Sequence, residues 1–376
     1  MPEYIVPGTY VEETSFRQPP IVGASSSPTG FVGTARSGPV SVASGWLKSF
    51  ADYEQIYGGA GVLASAARGF FENGGKHLHV VRIAEIDGEA EPSLAAYAAA
   101  LDVLVAVHAI SIIAAPGSSG LAPATAQAVA QALIDQAEVP GAHRFAVLDA
   151  PPGAAIAEIR AYRAQFDSQY AALYYPWLTV AGAEAGETTV IPPSGHVCGI
   201  YARVDDERGV HKAPANEVVR GIIGFESAIS KAGQDLLNPE GINCFRNFEA
   251  RGLRLWGART ISSDPEWKYV HVRRYITYLR RSIDRGLMWA VFEPNGEALW
   301  AQLRQLMENF LYTEWRGGAL QGTRPQDAFF VRCDRATMTQ NDLDNGRLIC
   351  QIGVAVVRPA EFMIFDVHAS TADAPA

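Results

Sequence analysis

The chain has 376 residues, 48% of them hydrophobic, and carries a formal net charge of −9. That length exceeds what one hydrophobic core serves, so two globular domains are expected; the acidic balance, with no Lys/Arg-rich run, excludes nucleic acid as a partner. The four cysteines, Cys198, Cys244, Cys333 and Cys350, stand far apart without a C-x-x-C pair, which argues against a zinc ribbon or dense disulfide framework and fits a reducing cytosol.

In chain order, Tyr4 to Val11 of "PEYIVPGTYVEETS" is aromatic and β-branched enough for a strand, but Pro7 cannot donate to a ladder, so the segment suits only an edge. No basic region followed by an apolar one precedes it, and no secretory signal is expected. The polar stretch "RQPPIVGASSSPTG" reads as a flexible linker, and "FVGTA" as the strand that opens a new domain near Ser25. From there to about Val204, strand-like "HLHVVRIA", "AISIIAAPG", "RFAVLDAP" and "LYYPWLTV" alternate with helical "PATAQAVAQALIDQAE" and "AAIAEIRAYRAQF". Such alternation predicts an α/β layer with a largely parallel sheet. The apolar run "LAAYAAALDVLVAVHAISIIAAPG" is long enough to cross a bilayer, but Asp102 and His108 interrupt it and Pro116-Gly117 closes it; it reads as a buried helix followed by a buried strand.

Beyond "IPPSGHVCGIYARVDD" the texture changes to more Arg and Trp and longer helices. In "SSDPEWKYVHVRRYITYLRRSIDRG", Asp264 can cap, Pro265 suits the first helical position, and Arg285-Gly286 ends the helix. A second helix, Gly296 to Arg316, carries Leu299, Leu303, Leu306 and Phe310 on one stripe. The strands "DAFFVRCD", "RLICQIGVAVVRP" and "AEFMIFDVH" follow.

Several strings imitate chemistry. Gly59, Gly61 and Ala64 match G-x-G-x-x-A, but a dinucleotide fingerprint needs an apolar strand before the first glycine, and "SFADYEQIY" is polar and helix-like. His77 and His79 share a strand face without partners at ligand spacing and read as packing or surface residues. "NDLDNG" puts Leu343 where a calcium loop needs oxygen, so it reads as a turn between strands. Ser194 and His196 are too close in sequence to be assumed a catalytic pair. No catalytic, cofactor or metal site is assigned. Arg273, Arg274, Arg280, Arg281 and Arg285 make one helix basic, as either a solvated face paired with carboxylates such as Asp284 or a docking face.

Taken in order, "VPGTYVEE", "PTGFVGTARSGP", "FFENGGKHLHVVRI", "PPSGHVCGIYARVDDERGVHKAPANE", "LLNPEGINCFR", "GLRLWGARTISSDPEWKYVHVRRYITYL" and "VRCDRATMTQNDLDNGRLICQIGVAVVRPAEFMIFDV" resemble the tail sheath subunits of contractile phage tails and contractile injection particles. The resemblance implies a non-enzymatic protein that polymerises as stacked hexameric rings around an inner tube, contracts to drive that tube through a target envelope, and meets baseplate and tail-terminator proteins. It implies assembly in the bacterial cytoplasm and residence in a phage tail or injection particle, without membrane insertion. The implied fold is α/β and α+β: an outer α/β domain, 24–204, inserted in a core domain formed by the N-terminal arm and linker, 1–23, and the C-terminal half, 205–376. Terminal arms of the family add strands to neighbouring subunits, which here assigns exchange to Tyr4, Ile5, Val6, Thr9, Tyr10 and Val11 at one end and to Phe362, Ile364, Phe365 and Val367 at the other. Tube-facing candidates are Gln302, Arg304, Gln305 and Glu308, then Arg273 and Arg274. The competing reading is a nucleotide-binding α/β enzyme using the Gly59-Gly61-Ala64 loop.

Overall fold

The computed structural model describes residues 19–84, 92–182 and 186–361. Its first half runs β1 (Thr29–Ala35), α1 (Phe50–Tyr57), α2 (Val62–Glu72), β2 (Leu78–Ala84), α3 (Leu94–Val105), β3 (Ile112–Ala114), α4 (Pro123–Glu138), β4 (Phe145–Asp149), α5 (Ile156–Arg163) and β5 (Ala171–Tyr175). Next come β6 (Leu178–Ala181), β7 (Thr188–Ile191), α6 (Ser194–Arg208), β8 (Glu217–Val218), β9 (Gly224–Phe225), α7 (Lys231–Leu237), β10 (Ile242–Phe248) and β11 (Gly252–Leu255). The chain continues with α8 (Val270–Leu287), α9 (Glu297–Arg316), α10 (Pro325–Ala328), β12 (Phe329–Arg332), α11 (Gln340–Asp344) and β13 (Gln351–Val354). No helix among the described residues is long and apolar enough to cross a membrane.

An eight-stranded sheet in the order β2-β1-β3-β4-β5-β10-β11-β8 forms the centre, with β2 through β10 parallel. Successive strand residues point to opposite faces. Phe31, Val80, Ile112, Phe145, Ala172, Tyr174 and Phe245 therefore join the core beneath α1, α2 and α6. Their neighbours Val32, Val81, Ile113, Ala146, Leu173, Tyr175 and Cys244 join the core beneath α3, α4 and α5. Helices on both faces explain why these strands are apolar almost throughout. On the first face α2 and α6 approach closely: a Cβ on Gly199 would collide with the Phe70 carbonyl oxygen, and one on Gly195 with the Ala66 backbone.

The sheet does not stop at Val204. β10 pairs in parallel with β5 (Ile242 opposite Leu173), and β11 and β8 extend it antiparallel. The expected boundary between residues 204 and 205 is thus moved to about Ile261, whose N–H donates to Ala171 O at 3.0 Å. A third core belongs to the remainder, where Tyr275 and Leu279 of α8 meet Leu299, Trp300, Leu303, Met307, Phe310 and Leu311 of α9. Leu306, expected on the buried stripe, is only half-buried, because Met307 and Leu311 take the centre of the contact.

Three local expectations change in detail. Asp264 does cap, accepting from Glu266 N–H at 2.9 Å, but Pro265–Trp267 is a single 3₁₀ turn. The helix starts only at Val270, since Lys268 O is taken by Thr260 N–H and Val270 N–H by Ala258 O. It then passes through Gly286 and ends at Leu287. "NDLDNG" holds a short helix, α11, with a capping box between Thr339 and Asp342.

Candidate assembly site

The stretch expected to be a flexible linker is docked from Ile21 onward. Ile21 is buried against Gly286, and Gly23 approaches the Tyr278 ring so closely that a side chain there would collide. Ala24 N–H donates to Ser282 Oγ at 2.9 Å, and Ser26 Oγ donates to Asp205 Oδ2 at 2.7 Å. Small residues permit this approach, and α8 and α6 supply the hydrogen-bond partners.

Asp205 also receives both guanidinium nitrogens of Arg274, at 3.0 and 2.6 Å, and Arg274 donates to Ser26 O at 3.0 Å. Burial opposes the Arg274 charge, yet Asp205 more than offsets it and holds its pKa above the ordinary arginine value. Arg273 lies between the Tyr170 and Trp267 rings, 4.7 and 4.2 Å from their centroids, and donates to Gln169 Oε1 at 2.9 Å. Arg281 donates to Ser111 Oγ at 2.5 Å and His108 O at 2.6 Å. Arg273 and Arg274 are therefore withdrawn as tube-facing candidates: both are buried, and they fasten α8 to the sheet layer. Neither sequence reading of the basic helix holds for these three, while Arg280 and Arg285 do face solvent.

A second fastening holds Glu361, the last described residue. Glu361 accepts from Arg259 Nε and Nη2, both at 2.7 Å, from Tyr269 Oη at 3.0 Å and from Asn238 Nδ2 at 3.3 Å. Burial alone would raise its carboxyl, but the Arg259 hydrogen bonds and charge hold it at about 2. Residues 357–361 form one wall of a cleft of about 840 Å³ whose other walls include Arg208, Lys212, Arg251, Trp256 and His271.

The C-terminal region holds a small two-stranded sheet, with Leu320 bridged to Val356 just beyond it. β12 and β13 pair antiparallel, and among the described residues neither has a second neighbour. Val331 packs inward toward α9, Phe330 covers Gly353 across the ladder, and Phe330, Ile349 and Ile352 still present apolar surface to water. Two strands alone are marginal in water. On α9, Gln302, Gln305 and Glu308 are exposed, while Arg304 is half-buried and reaches Cys333 O at 3.5 Å. A feature that sequence reasoning missed lies between α8 and α9: Met288, Val291 and Phe292 are exposed, and Phe292 is held at a φ of 73°. Its apolar "MWAVF" string resembles core material, and only the backbone reveals that it faces outward.

The chemistry-like strings have structural occupations. Gly59 and Gly61 join two helices, α1 and α2, rather than a strand and a helix. The His79 ring sits on Trp46, its centroid 3.8 Å away, with Nδ1 2.6 Å from Ser44 O. Ser194 gives its N–H and Oγ–H to buried Asp149, each at 2.7 Å, which ties the start of α6 to the end of β4. Burial pushes the Asp149 carboxyl up to about 7 and the His196 imidazole down to about 4. His196 packs against Gly69, not against Ser194 and Asp149 as a catalytic relay requires.

Sequence models agree with this two-part organisation: the phage tail sheath protein central domain matches residues 90–261, and the phage tail sheath C-terminal domain matches residues 262–370. The chain belongs to the phage tail sheath family. The sheath subunit of the anti-feeding prophage in its contracted helical state superposes with a TM-score of 0.81 at 31% identity, over 97% of this chain and 99% of that one. The contracted sheath complex of an extracellular contractile injection system, PVC, gives 0.78 at 30% identity over 98% and 99%. Among curated sequences, the putative prophage major tail sheath protein of Pseudomonas aeruginosa is 28% identical over 68% of this chain. The tail sheath protein of Escherichia phage P2 is 28% identical over 37%. Those alignments span 64% and 36% of the respective relatives, less than two thirds of either.

Within this sheath fold, the structure collects only part of the expected site. The exchange positions Tyr4, Ile5, Val6, Thr9, Tyr10 and Val11, and Phe362, Ile364, Phe365 and Val367, lie outside the described residues. What is described are the residues nearest those segments, with Ile21 buried and Glu361 paired to Arg259, and the two-stranded β12–β13 sheet.

Proposed function

We propose that this protein is a subunit of a contractile sheath, polymerising as stacked hexameric rings around an inner tube and contracting to drive the tube through a target envelope. The observation that carries the reading is full-length likeness to sheath subunits from contracted assemblies, with about 30% identity and nearly complete coverage of both chains. The terminal arms act as donors. Tyr4 to Val11 and Phe362 to Val367 of neighbouring copies complete the β12–β13 sheet by strand addition, in which backbone hydrogen bonds give strength and alternate side chains fix register. Strand donation from one copy to a different patch on the next is a heterologous contact, as an open helical polymer requires.

The αβα layer faces outward, and the part from residue 262 faces the tube through Gln302, Gln305 and Glu308 of α9. Baseplate and terminator proteins cap the polymer. Contraction needs no nucleotide site, because two packings of the same subunits that differ in free energy can supply the stroke. Docking of residues 21–26 and of Glu361 supports this use of the arms: each arm pivots from a fixed root, so the body can turn while the exchanged strand stays paired. Negative-stain electron microscopy of the purified chain beside one lacking residues 1–15 tests the reading. Hollow tubes from the first and folded monomers from the second are expected. Equal assembly of both would remove the N-terminal arm from the account.

A further inference from the structure

Cys333 follows β12 and Cys350 precedes β13. The ladder pairs Phe329 with Val354, Phe330 with Gly353, Val331 with Ile352 and Arg332 with Gln351. Read one step further, the register sets Cys333 opposite Cys350. Directly opposed residues of an antiparallel pair have Cα atoms about 4.5–5.5 Å apart, within the span a disulfide bridges without moving the backbone. The side chains use that proximity: the two thiols lie within hydrogen-bonding reach of each other. Both are reduced here, Cys333 buried and Cys350 partly open to solvent.

We propose that Cys333 and Cys350 form a cross-strand disulfide when the protein meets a disulfide oxidant, closing the loop 334–349 and stapling the β12–β13 hairpin.

The chemistry balances with oxidised glutathione as oxidant. The accessible Cys350, as thiolate, attacks one glutathione sulfur and releases a reduced glutathione. Cys333 then attacks the Cys350 sulfur of the mixed disulfide and releases the second. One protein S–S bond forms, one glutathione S–S bond is lost, and the two thiol protons end on the two glutathiones. Burial pushes both thiols up, and on Cys333 the Cys350 contact and the Arg304 charge offset part of that. The other two cysteines have no such prospect. Cys198 lies on α6 and Cys244 on β10, buried in the cores of opposite sheet faces. The inference rests on hairpin geometry alone, so it stands or falls separately from the sheath reading.

The test is peptide mapping of the full chain without reductant, after anaerobic equilibration with glutathione buffers from fully reduced to fully oxidised. Cleavage after Arg332, Arg335 and Arg347 isolates Cys333 on a short peptide and Cys350 on one that starts at Leu348. The expected result is that oxidised buffer links these two peptides in most molecules, while Cys198 and Cys244 stay reduced. Cys333→Ser should instead leave Cys350 as a stable glutathione adduct. Two results would overturn the proposal: a persistent glutathione adduct on Cys350 in the unmodified chain, or both thiols still reduced in fully oxidised glutathione. Since the unmodified chain gives the decisive reading, failure of the variant to fold does not affect the test.

Discussion

Arg274 and Asp205 form a bidentate pair whose side chains are 4% and 6% exposed. Removing one partner leaves a buried charge uncompensated, which costs about 3–5 kcal/mol. Asp205→Asn should therefore lower stability by roughly that amount in denaturant unfolding, and the joint change Asp205→Leu with Arg274→Met should cost less than the single one. Glu361 gives a pH signature. Its carboxyl sits at about 2 in the folded chain, against an ordinary 4.5, so its stabilisation is complete above about pH 4.5 and is lost as pH falls toward 2. Unfolding between those values should show a loss of roughly 2–3 kcal/mol that Glu361→Gln no longer shows. Phe292 offers a test in the opposite direction. A bulky residue at positive φ costs about 1 kcal/mol or more, so Phe292→Gly should leave the monomer as stable or more so by thermal unfolding. If the loop is an assembly contact, the same change should reduce polymer in sedimentation.

At the scale of elements, α2 and α6 meet through glycines whose missing side chains let backbone touch backbone. Gly195→Ala would drive a methyl into the Ala66 backbone, and overpacking of this kind typically costs about 1–3 kcal/mol; a lowered melting temperature with unchanged helix content is the expected outcome. Elements of this layer were legible in the sequence because local signals and burial agree. "PATAQAVAQALIDQAE" has proline at its first position and forms α4 from Pro123 to Glu138, and "FADYEQIY" is capped by Ser49. The helix start at Val270 was not legible, because Asp264 and Pro265 are a sound local signal overruled by pairing of residues 268–270 with residues 258–260. The arginines of α8 misled for a related reason. Charge is visible in a sequence, but the partners that bury it, Asp205, Tyr170 and Trp267, come from other elements.

For the molecule as a whole, the expected division at residue 204 failed because β10 finds its parallel neighbour β5 far back in the chain. No local pattern encodes that pairing; the change in texture after "YARVDD" marks the end of α6, not the end of a sheet. Alternation of strand-like and helical runs predicted the parallel sheet, and the resemblance named the family. Three polar fastenings, Ser26–Asp205–Arg274, Arg281–Ser111 and Arg259–Glu361, tie together parts of the chain far apart in sequence. The central claim, that the arms of neighbouring copies complete the β12–β13 sheet, is tested most directly by cryo-electron microscopy of the assembled particle at a resolution that traces the backbone. The account predicts residues 4–11 of one neighbour and residues 362–367 of another hydrogen-bonded in register beside β12 and β13. Strand edges left facing solvent in the polymer, with each arm folded onto its own subunit, would contradict it.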